Sequence, residues 1–118
     1  MRHILVVDDE DVLVEMIALL IEDMGRQSTV ATDGQEALRL LSGSSEPPGL
    51  VIADVMMPRM NGVELAHTIK EDPRFHNVPI ILMSAAGRPA ADHPADAFIH
   101  KPFDLQLLAD LIERYVND

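Results

Sequence analysis

His3-Ile-Leu-Val-Val-Asp8 and Leu50-Val-Ile-Ala-Asp54 are two short, unbroken apolar runs, and each ends in a carboxylate. A strand with apolar residues on both faces must be covered on both faces, which is the pattern of inner strands in a parallel sheet. Pro79-Ile-Ile-Leu-Met-Ser84 repeats the pattern with a hydroxyl at its end, and Ala97-Phe-Ile-His100 repeats it in shorter form before Lys101-Pro102. Ser28-Thr-Val-Ala31 reads as a weaker second strand, which makes five.

Helical patterns fill the gaps between these runs. From Asp11 onward, Leu13, Met16, Ile17, Leu20 and Met24 recur at helical spacing, and Gly25 stands where a helix ends in the left-handed conformation. Asp33 and Glu36, and again Asn61 and Glu64, have the spacing of a capping box. The first pair opens a helix through Leu38 and Leu41, followed by a Gly/Ser/Pro-rich loop from Ser42 to Gly49. The second opens one with Leu65, Ala66 and Ile69 that stops before Asp72-Pro73. Asp104 caps a last helix carrying Leu105, Leu108, Leu111, Ile112 and Tyr115, with Phe103 placed to staple Leu108.

Buried strands alternating with helices predict an α/β fold. The expectation is a single doubly wound five-stranded parallel sheet of order 2-1-3-4-5, flavodoxin-like, with one domain spanning residues 1–118. In such sheets ligands bind beyond the carboxyl ends of the strands, where the strand order reverses between the first and third strands. Asp8, Asp9 and Asp54 belong to that position.

Composition narrows the functions. Nine Lys and Arg against 20 Asp and Glu give a formal charge of −11, which argues against direct nucleic-acid binding and against an anionic membrane as partner. With no cysteine, thiol nucleophiles, disulfides and thiolate zinc sites are excluded, and a reducing cytoplasm fits. The longest apolar stretch, Met16 to Ile21, is far short of the roughly 20 residues of a membrane span, and no signal-peptide pattern opens the chain. His3, His67, His76, His93 and His100 lack ligand-like spacing, so no zinc site is expected.

The residues at the predicted strand ends are Asp8, Asp9, Asp54, Ser84 and Lys101. Each alone reads as a cap or a solvated loop residue; together they are three carboxylates, a hydroxyl and an ammonium at one place. Uncompensated carboxylates raise one another's pKa, so the set asks for a hard divalent cation, and Mg²⁺ matches its oxygen donors. A carboxylate that attacks phosphorus needs the growing oxygen charge met by metal, ammonium and hydroxyl, the roles open to Mg²⁺, Lys101 and Ser84 around Asp54.

Val6-Val-Asp-Asp-Glu10, Asp54-Val-Met-Met-Pro-Arg-Met-Asn-Gly62, Ser84-Ala85 and Lys101-Pro-Phe103 occur in the order and on the elements of the response-regulator receiver domain of two-component signal transduction, which the chain resembles over essentially its full length. The resemblance implies that Asp54 is the phosphoacceptor, Asp9 a direct Mg²⁺ ligand, Asp8 an acid acting through metal-bound water, and Met56 a metal ligand through its backbone carbonyl. It implies that Ser84 is the switch hydroxyl and Lys101 the ion-pairing lysine, with a cis bond to Pro102. Phe98 stands at the family's rotating aromatic, though an ordinary core Phe fits that short strand equally well. Met57 and Met60 most simply pack the loop around Pro58. The implied partners are a sensor histidine kinase or histidine phosphotransfer protein as donor, and a downstream protein target or fused output domain. The implied enzymology is the domain's own phosphorylation and dephosphorylation, with no conventional turnover.

The sequence departs from the family between residues 85 and 96, where Gly87-Arg-Pro-Ala-Ala-Asp-His-Pro94 is short and holds two prolines. There the family's fourth helix is expected to be shortened or absent. Ending soon after its last helix, the chain reads as a stand-alone regulator or as the receiver of a larger protein. The competing readings are a constitutive interaction module that keeps the fold but ignores phosphate, disfavoured by the intact acidic set, and a flavodoxin-like cofactor binder or a phosphatase. The last two would need a Gly-rich phosphate loop or an extra general acid and cap domain, and neither is visible.

Overall fold

The apolar runs pair side by side as five strands. In the computed structural model, which describes residues 2–85 and 94–117, the element order is β1 (Ile4–Val7), α1 (Asp11–Asp23), β2 (Ser28–Ala31), α2 (Gly34–Gly43), β3 (Leu50–Asp54), α3 (Gly62–Glu71), β4 (Ile80–Ser84), β5 (Ala97–His100) and α4 (Leu105–Tyr115). All neighbouring strands are parallel and the sheet order is β2-β1-β3-β4-β5, as the sequence predicts. The crossover expected to lack a full helix falls on residues 86–93, which lie outside the described residues.

Because side chains alternate across a strand, β1, β3, β4 and β5 each feed two cores, while the edge strand β2 adds only Ala31 to one of them. Leu5, Val7, Val51, Ala53, Ile80 and Leu82 meet Ala37 and Leu41 of α2 and Leu65, Ala66 and Ile69 of α3. Ile4, Val6, Ile52, Ile81, Met83 and Ile99 meet Val14, Ile17 and Ile21 of α1 and Leu108 and Ile112 of α4. With helices on both faces, β1, β3 and β4 are buried at every position.

Helix α1 sits at a different rotation from the one the sequence suggests. Its buried residues are Val14, Ile17 and Ile21; Leu13, Leu20 and Met24 are partly buried, and Met16 lies exposed with Val12 and Leu19. The helix is apolar nearly all round, so its own periodicity does not fix which side faces inward. The β-branched Val14-Ile17-Ile21 edge packs on the sheet instead. Gly25 ends the helix at φ +80, as expected of a residue just past a helix end. Helix α2 runs on through Ser42 and Gly43, two residues into the predicted loop.

The two predicted capping boxes turn out differently. At Asn61 both reciprocal bonds form: Glu64 N donates to Asn61 Oδ1 at 2.8 Å and Asn61 N to Glu64 Oε1 at 3.0 Å. At Asp33, Glu36 N donates to Oδ1 at 2.9 Å, but the Glu36 carboxylate accepts from Thr32 N, one residue earlier. At the opposite rim Gly49 joins the chain ends, since its N–H donates to His3 O at 2.9 Å and its carbonyl accepts from Asn117 N at 2.8 Å. A side chain at Gly49 would meet Asn117 O at 2.2 Å.

Candidate functional site

Register puts the chemistry at one rim. Val7 pairs with Ala53, Asp54 with Met83 and Ser84 with His100, so Asp8, Asp54, Ser84 and Lys101 emerge together at the carboxyl ends of β1, β3, β4 and β5. Asp8, Asp54 and Ser84 are buried, at 1 %, 4 % and 1 % exposure. The Lys101 amide donates to Ser84 O at 2.9 Å, which fixes where the lysine leaves the sheet. The peptide bond from Lys101 to Pro102 is cis, as the resemblance implies.

Lys101 Nζ reaches three acids. It donates to Asp8 Oδ2 at 3.1 Å and Glu10 Oε1 at 2.7 Å, and lies 3.4 Å from Asp54 Oδ1. One oxygen from each of Asp8, Glu10 and Asp54 lies within 4.8 Å of the others. Asp9 is exposed and stands outside this group, and Met56 is exposed as well. Phe98 is half-buried against the core under α2 and α3.

Glu10 joins the site without a role expected from the sequence: its amide donates to Asp8 Oδ1 at 3.0 Å, a tight turn just after β1.

Burial sets the electrostatics. It pushes the Asp54 carboxyl up to about 6, helped by the charge of Asp8, while Lys101 and the Met56 amide pull it down. Asp8 is also raised by burial, against the opposing effects of the Glu10 amide and Lys101. Burial alone would lower the Lys101 ammonium, but its bonds to Glu10 and Asp8 and the charges of Asp8 and Asp54 outweigh that and raise it.

Among the described residues, three carboxylates facing one ammonium leave an excess of negative charge in a partly dry place. An all-oxygen donor set of this kind fits a hard divalent cation such as Mg²⁺.

The loop after β3 carries the segment from Asp54 to Gly62. Gly62 N donates to Val55 O at 3.1 Å and closes the loop back on the strand. A side chain at Gly62 would put its Cβ 2.3 Å from Asp54 O, so the position next to Asp54 admits only glycine.

The sequence matches the family described as "Response regulator receiver domain" over residues 4–113, and the chain belongs to that family of two-component signalling switches. It is 38 % identical to "Response regulator RR06" of Streptococcus pneumoniae over 98 % of this chain and 53 % of that protein. It is 36 % identical to the transcriptional regulatory protein CpxR of Escherichia coli K12, covering 92 % of this chain and 47 % of CpxR, so it spans about half the length of both relatives. Among solved structures, the receiver domain of a signal transduction histidine kinase from Syntrophus aciditrophicus superposes with a TM-score of 0.90 at 32 % identity, covering 98 % of this chain and 89 % of that one. TrrA of Thermotoga maritima, in complex with Mg²⁺ and BeF, gives a TM-score of 0.85 at 31 % identity, covering 98 % and 100 %. Among the described residues no helix is long and apolar enough to cross a membrane.

Proposed function

We propose that this chain is a phosphorylation-operated switch in which Asp54 accepts a phosphoryl group from a histidine kinase or histidine phosphotransfer protein, with Mg²⁺ bound beside it. The observation that carries the reading is the cluster of Asp8, Glu10 and Asp54 around the single ammonium of Lys101, at the rim where such sheets bind ligands. Asp8, Asp54 and the acids of the β1–α1 turn, Asp9 and Glu10, would hold the metal together with the Met56 carbonyl. When bound, Mg²⁺ neutralises the carboxylates and the charge on the phosphoryl oxygens.

The chain's own groups divide the remaining work. Asp54 attacks phosphorus with a carboxylate oxygen; a P–O bond forms, the P–N bond to the donor imidazole breaks, and the imidazole leaves with the electron pair. Lys101, already 3.4 Å from Asp54 Oδ1, meets charge on the transferred oxygens, and the Ser84 hydroxyl at the end of β4 donates to one of them. Formation of the acyl phosphate turns Ser84 and Phe98 toward a second arrangement that a target protein or output domain reads. The net charge of −11 favours protein partners over nucleic acid, and a cytoplasmic setting suits the absence of cysteine.

Incubation with a small acyl phosphate donor and Mg²⁺, followed by peptide mass spectrometry, tests the assignment. One base-labile adduct on Asp54 is expected. An undiminished adduct in Asp54→Asn would overturn it.

A further inference from the structure

Asp33 caps α2 outside the acidic cluster and is 1 % exposed. Capping needs only one of its oxygens, the Oδ1 that accepts from Glu36 N at 2.9 Å, and a neutral Asn would cap as well. The second oxygen, Oδ2, accepts from the Arg59 guanidinium, which arrives from 26 residues away in the loop between β3 and α3. Arg59 itself is held at φ 66, a left-handed conformation unfavourable for a side-chain-bearing residue.

The next residue on each side makes a second contact. A Cβ at Gly34 would lie 2.7 Å from Met60 Cγ, so the Met60 side chain rests directly on the start of α2. Two consecutive loop residues are thus seated on the N-cap and the first residue of α2. The same loop starts at Asp54, is closed by Gly62 N on Val55 O at 3.1 Å, and carries Met56, whose amide pulls the Asp54 carboxyl down.

We propose that Asp33 and Arg59 are a positioning pair: by clamping the β3–α3 loop to the start of α2 they set the Met56 backbone against Asp54, and so govern the metal affinity of the acidic site from outside it. The inference rests on reading the acidic cluster as a Mg²⁺ site. Neither residue touches the metal or the phosphoryl group; each acts through the loop.

Asp33→Asn keeps the helix cap and removes the charge, whereas Arg59→Ala removes the other half, and Arg59→Lys keeps a cation. Mg²⁺ titration followed by amide NMR is expected to show affinity lowered roughly tenfold in Asp33→Asn and in Arg59→Ala, the scale of a supporting partner one step removed from a metal. The double variant should be no weaker than either single one, and Arg59→Lys should recover most of the loss. In metal-free protein, the Met56 amide should exchange faster with solvent in both single variants while amides of β3 do not. Unchanged Mg²⁺ affinity in both, or purely additive losses, would overturn the proposal. A wild type that binds no Mg²⁺ would instead sink the reading of the cluster, and unchanged Met56 exchange would then sink the positioning pair independently.

Discussion

Asp33 and Asp54 are both buried carboxylates at the same rim of the sheet, yet they are left in opposite electrostatic conditions. Asp33 has an amide on one oxygen and a guanidinium on the other, so its charge is matched one to one. Asp54 shares a single ammonium with Asp8 and Glu10 and is pushed up to about 6. A buried charge that is fully partnered is part of the scaffold, and a set that is short of cations has room for one more. The difference separates an acid whose charge is already matched from acids left with negative charge to spare.

The sharpest way to break this comparison is to neutralise each acid in turn. Asp54→Asn should abolish the base-labile adduct, while Asp33→Asn should retain it at reduced yield, both read by intact-mass spectrometry. Equal adducts in the two variants would erase the distinction. Next in size is the metal. Asp9→Ala should weaken Mg²⁺ binding more than Asp8→Ala, by roughly tenfold or more for a direct ligand, and titration of both variants along with Glu10→Ala would rank the three acids of the turn.

A third expectation concerns pH. The folded state holds the Asp54 proton more tightly than the unfolded chain, which titrates near 3.8. Stability from this group is therefore present at low pH and lost as pH rises from about 4 to about 6. In metal-free buffer at pH 7, Asp54→Asn should be the more stable protein by about 1–3 kcal/mol, with little difference at pH 4. Mg²⁺ should close that gap near neutrality. Thermal unfolding at both pH values checks it, and a gap that grows toward acid would reverse the sign. The smallest effect belongs to the purely local cap: Asn61→Ala should cost about 1 kcal/mol. Denaturant unfolding would measure it.

Much of this was legible in the sequence because strand ends are local facts. An apolar run that stops at Asp8, at Asp54 or at Ser84 announces both the strand and the residue at its rim, and the parallel topology then gathers them. The Asn61-Glu64 box was legible for the same reason, both partners lying within one turn. The Asp33-Arg59 pair was not, because its two halves are 26 residues apart and only the folded loop brings them together. The rotation of α1 also escaped, since apolar residues at Val12, Leu13, Met16 and Leu19 mask the face that packs. Glu10 shows no role in the sequence, because its carboxylate meets Lys101 and Asp54 only once β1, β3 and β5 lie side by side.

Gly49 has a consequence for handling the molecule. Through it Asn117 and His3 are fastened beside each other at the amino-terminal ends of β1 and β3, while Asp8 and Asp54 stand at the other ends, about 17 Å away along a five-residue strand. A tether attached at residue 117 therefore grips the domain by the rim that carries none of the acidic cluster. On a sensor chip or a bead, the molecules would stand with Asp54 facing the solution, and a donor protein would approach every one of them from the open side.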